Sequence, residues 1–165
     1  MNLGKKLAVE AMKCTTIKMS PECYSEIKKY SSYDQMCSKY FADDSWAMSN
    51  DFPNINLLRQ HFKGHAENYG FFVDHKGDIT ARNRFAVFGN SDVETIFKDY
   101  SVSVLIVRHN SKMKIKAADN AFLMVNVLDS ASVEIEAADS SKVIVYQYGS
   151  DSKVKQSGNV EIKKR

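Results

Sequence analysis

A chain of 165 residues with 44% hydrophobic and 11% aromatic content can bury a core, and it suits one domain or two small coupled modules. Its formal net charge of +3 is too small to mark a nucleic-acid binder and has the wrong sign for an acidic mimic of DNA. No apolar run reaches the roughly 20 residues that span a bilayer, and charge interrupts the N-terminal MNLGKKLAVEAMKC too soon for a secretory signal, so the expectation is a cytoplasmic protein without a membrane role.

In chain order, Leu3, Leu7, Ala8, Ala11 and Met12 recur at helical spacing and predict a helix over 3–14. Ser20-Pro21-Glu22 supplies a cap, a first-turn proline and an acid near the positive end of the dipole, which predicts a second helix over 20–30. Tyr33, Met36, Cys37, Tyr40 and Phe41 suggest a third over 32–42, and Asn54 with Ile55, Leu58 and Phe62 a fourth over 54–63, with 50–53 as a loop. From Tyr69 the pattern shifts: GFFVDHKGDITA reads as two strand pieces joined across Lys76-Gly77-Asp78, and RFAVF leads onward.

Gly89 to Gly158 then divides into consecutive blocks of ten: GNSDVETIFK, DYSVSVLIVR, HNSKMKIKAA, DNAFLMVNVL, DSASVEIEAA, DSSKVIVYQY and GSDSKVKQSG. Each opens with turn chemistry, carries a small third residue in all but the last block, and continues with strand-period alternation such as Met113, Ile115, Ala117. Alternate blocks match better than neighbours, KMKIKAA with SVEIEAA and AFLMVNVL with SKVIVYQY, so the coil is about twenty residues of two strands. Stacking places Val133 under Met113, Ile135 under Ile115 and Val145 under Val125, and sets Lys114 over Glu134 and Lys116 over Glu136. The expected fold is α+β: a helical bundle over 1–68, then a short β-solenoid (β-helix) over 69–165 with a strand-rich lead-in at 69–88. Three to four rungs would stand ~17 Å tall. The charge-rich KVKQSGNVEIKKR would blunt the far edge.

Residues with chemical potential do not assemble into a catalytic or cofactor motif. His61 and His65 stand four apart, but no Glu follows His61 as in zinc proteases and Gly64 separates them. His75 and His109 fall in turns. Cys14, Cys23 and Cys37 are odd in number, lack a C-x-x-C pair and have no local base, which points to reduced, small core residues. Asp43, Asp44 and Asp51 suit helix capping and solvation better than acid–base work. No phosphate-cradling glycine loop occurs, nor the hexapeptide pattern of solenoid acyltransferases. The expectation is therefore no enzyme, no metal, no cofactor and no small-molecule substrate.

Two surface features suit recognition. Arg82, Arg84, Lys98 and Arg108 gather around the start of the solenoid, Lys98 and Arg108 at the same block position, as a basic stripe or a solvated face. The helical part holds Tyr24, Tyr30, Tyr33, Tyr40, Phe41 and Trp46, which serve either a small core or a protein interface. Tyr30, Tyr33, Tyr40 and Trp46 with Arg82, Arg84, Lys98 and Arg108 are the candidate partner-binding residues.

A helical bundle joined to a β-helix of D-N/S-A-x-V-x-I-type blocks, with AVFGNSD at 86–92 and RHNS at 108–111, resembles a group of small proteins carried by phages and prophages of Bacteroidota. The combination is similar to the anti-CRISPR inhibitors of the type VI-B RNA-guided, RNA-cutting nuclease. The likeness covers the solenoid well and the N-terminal part in outline, and it is one of layout and repeat style. It implies a non-enzymatic inhibitor whose partner is the CRISPR effector nuclease, with or without its guide RNA. No functional residues carry over from it. The competing expectation is a structural or self-assembling solenoid module, with direct RNA or glycan binding through Tyr146 and Tyr148 ranked below both.

Overall fold

The computed structural model describes residues 2–165 and is α+β, with five helices followed by a parallel β-solenoid of about four turns. It divides into two compact units, one ending at Tyr69 and the other spanning Gly70–Arg165. Among the described residues no helix is long and apolar enough to cross a membrane.

The first unit holds α1 (Leu3–Ala11), α2 (Pro21–Ile27), α3 (Tyr33–Ala42), α4 (Asp44–Asn50) and α5 (Ile55–His61). Local caps set most of the starts. The Asn2 side chain accepts the Lys5 N–H, Ser20 that of Cys23 ahead of Pro21, and Asn54 that of Leu57, while Ser32 and Gln35 form a reciprocal capping box. The first two helices stop three residues short of expectation. Lys13 and Cys14 donate to Glu10 and Ala11, and Lys29 and Tyr30 to Glu26 and Ile27, so each chain tightens into three-residue bonds instead of continuing the α ladder. The α4 helix was not foreseen. Leu7, Ala8, Ile27, Met36, Cys37, Ala47, Leu58 and Phe62 are buried in this unit. Gly4 lets α1 approach the end of α2 closely: a Cβ there would lie 2.6 Å from the Ile27 carbonyl oxygen and closer still to that of Tyr30.

The second unit comprises β1 (Phe71–Val73), β2 (Lys76–Asp78), β3 (Arg84–Phe88), β4 (Asp92–Phe97), β5 (Val102–Val107), β6 (Lys112–Ala117), β7 (Phe122–Val127), β8 (Ser132–Ala137), β9 (Lys142–Gln147), β10 (Lys153–Gly158) and β11 (Val160–Lys164). Odd-numbered strands form one six-stranded sheet and even-numbered strands a five-stranded sheet, all pairs parallel. Met113 pairs with Val133, Ile115 with Ile135 and Val125 with Val145. The offset shortens at the ends, where Phe71 pairs with Ala86 and Val160 with Val143. Lys76-Gly77-Asp78, expected to be a turn, is instead a strand. All three residues are exposed, and β2 is held by its parallel register with Asp92, Val93 and Glu94.

Inward side chains of both sheets, including Phe72, Phe85, Phe97, Leu105, Ile115, Leu123, Ile135 and Val145, fill the solenoid as one apolar cluster. The turns are tied from coil to coil. Asp99, His109, Asp119, Asp129 and Asp139 all have φ between 55° and 62°, a left-handed conformation that aspartate tolerates better than most residues. A side chain from the next coil then closes three of these backbones: Asp119 accepts the Asp99 N–H at 2.9 Å, Asp139 that of Asp119 at 3.0 Å, and Asp129 that of His109 at 3.0 Å. His109 does the same with Nδ1 for the Gly89 N–H at 3.1 Å. The small third residue packs inside the corner, where Ser91, Ser111, Ala121, Ala131 and Ser141 are at most 1% exposed.

Candidate interaction surfaces

The helical aromatics are held by contacts within their own unit. Tyr33 donates its hydroxyl to the His61 carbonyl at 2.9 Å, meets Phe62 edge-on and stacks on His65. Tyr40 is buried and meets Phe41 edge-on. Half-buried Trp46 donates Nε1–H to the Ile17 carbonyl at 2.8 Å and packs against Phe52. Tyr30 donates to Glu26 at 2.5 Å, and Lys39 bridges Glu26 at 2.8 Å and Asp43 at 3.0 Å. Burial and the Glu26 carboxylate push the Tyr30 phenol up to about 12, while the Lys39 and Tyr30 hydrogen bonds hold Glu26 below its ordinary range. Glu26, Lys39 and Asp43 line an open groove of about 600 Å³ that reaches Lys18, Cys23 and Trp46.

Burial raises all three thiols, Cys37 to about 12; Asp51 adds to the effect at Cys14, and at Cys23 the Lys39 charge opposes it while Asp43 adds to it. His61 is pushed down by burial and by the nearby Lys6 charge.

The four basic candidates do not form one stripe. A ten-residue step moves from one sheet to the other, so Lys98, after β4, and Arg108, after β5, lie at opposite corners. Lys98 is exposed. Arg108 is 3% exposed, its Nε donating to Asp129 Oδ2 at 3.0 Å and its Nη2 to Asp129 Oδ1 at 3.4 Å. Burial raises the Asp129 carboxyl, and the Arg108 guanidinium with the His109 N–H outweighs it, leaving the group below the ordinary aspartate range. Arg82 lies over the Phe72 ring at 5.5 Å, and exposed Arg84 opens β3 in register with Val104.

The two outer faces of the solenoid differ in kind. On the even sheet, β6 presents Lys112, Lys114 and Lys116 between Asp92 and Glu94 of β4 and Glu134 and Glu136 of β8. Lys116 pairs with Glu94 at 3.0 Å and Lys155 with Glu134 at 3.2 Å, so ion pairs form across the rungs in this ladder. On the odd sheet the same outward positions are mostly apolar. Val102 pairs with Phe122, and Val104, Met124 and Ile144 stand in one column, with Tyr146 beside Ile144 along β9. Val102 is 62% exposed, and Val104, Phe122, Met124 and Ile144 are half-buried. None of the eight expected partner-binding residues lies in this panel except Arg84 at its edge, although VSVLIV, FLMV and VIV are largely apolar at both parities, as strands covered on both faces are.

Comparison with protein-family models, with curated proteins and with solved structures finds nothing that matches this chain.

Proposed function

We propose that this chain is a non-enzymatic anti-CRISPR protein that binds a type VI-B effector nuclease in the bacterial cytoplasm and interferes with guide RNA loading or target RNA cleavage. The observation that carries the reading is the filled solenoid: apolar side chains occupy its interior and side-chain ladders close its turns, so its chemistry is that of a rigid outer surface. The layout likeness to small phage and prophage proteins supplies the partner. In this reading the solenoid is a stack of twenty-residue coils, each of two ten-residue blocks, and the helices form a bundle that adds a second surface. Thiols raised by burial hold less thiolate, which favours binding over thiolate catalysis. An inhibitor of this size needs to bury about 800 Å² on its own side.

The test is capture of the nuclease by tagged protein from cells that co-express nuclease and guide, reading both bound protein and retained RNA. Stoichiometric capture with loss of target RNA cleavage is the expected result. No capture, with the protein alone forming defined oligomers, overturns it in favour of a self-assembling module.

A further inference from the structure

We propose that the apolar panel on the odd sheet is a docking site for an amphipathic protein helix that carries acidic residues at both ends. The inference deepens the reading of the chain as a binding protein by naming the surface and the chemistry of its partner. The panel is longer than it is wide. Its main column runs Arg84, Val104, Met124, Ile144, Glu161 across five strands. At ~4.8 Å per strand that is about 19 Å, the length of about 13 helical residues, and the helical pitch of about 5.4 Å nearly matches one rung.

Charge selects the occupant. Arg84 is exposed at one end, and exposed Lys142 stands at the other, beyond Phe122. Lys163 and Arg165 lie over the Tyr146 ring at that same end, and Glu161 is paired with Lys163 at 3.5 Å. Asp99, Asp119 and Asp139 line the corner beside Val102, where Asp119 and Asp139 accept backbone N–H groups. A second copy fits poorly. A two-fold axis along the column sets Arg84 against Arg84, and one across it sets Arg84 against Glu161, whose carboxylate is already paired with Lys163. Single-stranded nucleic acid suits the basic ends, but its bases would face valine, methionine and isoleucine where stacking platforms use aromatic rings. A helix with an apolar stripe and acidic ends satisfies both the centre and the ends.

The probe is a synthetic amphipathic helix of about 14 residues with a leucine stripe and glutamates at both ends, compared with the same peptide ended in lysines. Titrated into the labelled full-length protein and followed by amide chemical shifts, the glutamate peptide is expected to move the signals of Val102, Met124 and Ile144 saturably. Its binding should be at least tenfold tighter than that of the lysine peptide. Val102→Asp with Met124→Asp should weaken it at least tenfold, and Arg84→Glu with Lys163→Glu should reverse the peptide preference, with unperturbed signals from the even sheet reporting an intact fold. No shifts at the panel, equal binding of both peptides, or tighter binding of a single-stranded RNA oligomer at the same amides would overturn the proposal. These outcomes need no nuclease, so failure here and failure of the capture experiment are separable.

Discussion

Thr95 occupies an inward position inside the solenoid, 1% exposed and in register with Ile115, with its hydroxyl lacking a hydrogen-bond partner. A buried orphan hydroxyl costs more than it returns, so Thr95→Val is expected to raise stability by about 1 kcal/mol, read as a higher denaturant midpoint at unchanged slope. Asp119 works the other way, supplying both a left-handed corner and the acceptor for the coil below. Asp119→Ala should lose about 1–3 kcal/mol and Asp119→Asn distinctly less, since asparagine keeps an acceptor and tolerates positive φ. The Arg108–Asp129 pair adds a pH dependence. The Asp129 pKa is depressed on folding, so its contribution is complete above the unfolded value of about 3.9 and is lost as the pH falls through the folded value. Thermal melts from pH 6 to pH 2 should fall less steeply at the acid end for Asp129→Asn, although that variant starts lower because Arg108 stays buried without its carboxylate.

At the scale of elements, Gly4 is the position where α1 has no room for a side chain. Gly4→Ala should destabilise the helical unit by about 1–3 kcal/mol, visible as faster amide exchange in α1 and α2. Local chemistry made many of these elements legible. Capping residues Ser20 and Asn54 mark the starts of α2 and α5, apolar spacing marks α1 and α3, and ten-residue turn chemistry marks the corners of the solenoid. The exceptions depended on distant partners. Strand β2 has no apolar alternation and exists by its register with β4, and α4 has seven residues, with Ala47 its buried hydrophobic residue, too few to show a period. Candidate surfaces were legible to a lesser degree for the same reason. Tyr33 and Trp46 read as anchors by type, yet their polar atoms bond carbonyls 28 and 29 residues away. Lys98 and Arg108 share a block position and still fall at opposite corners. The panel was hidden because valine, methionine and isoleucine read as core wherever they occur in a strand.

At the scale of the whole molecule, the charges on the outermost strands bear on whether a second chain can pair with the sheets. Parallel strands β10 and β11 present open edges bearing Lys153, Lys155, Lys163 and Lys164, charges that oppose addition of another chain. Replacing Lys153 and Lys155 with threonine should produce more concentration-dependent association in sedimentation velocity than the unaltered protein shows. The side-chain ladder at the corners carries a separate consequence. Because an Asp or His in one coil completes the turn of the coil before it, a new coil inserted between two existing ones brings its own closure and supplies that of its neighbour. The length of this protein can therefore change in whole steps, by duplication of a segment such as 112–131, without leaving a corner of the repeated coils unclosed. Each step would lengthen the apolar column by one rung, turning an internal duplication into a direct route to a partner helix one turn longer.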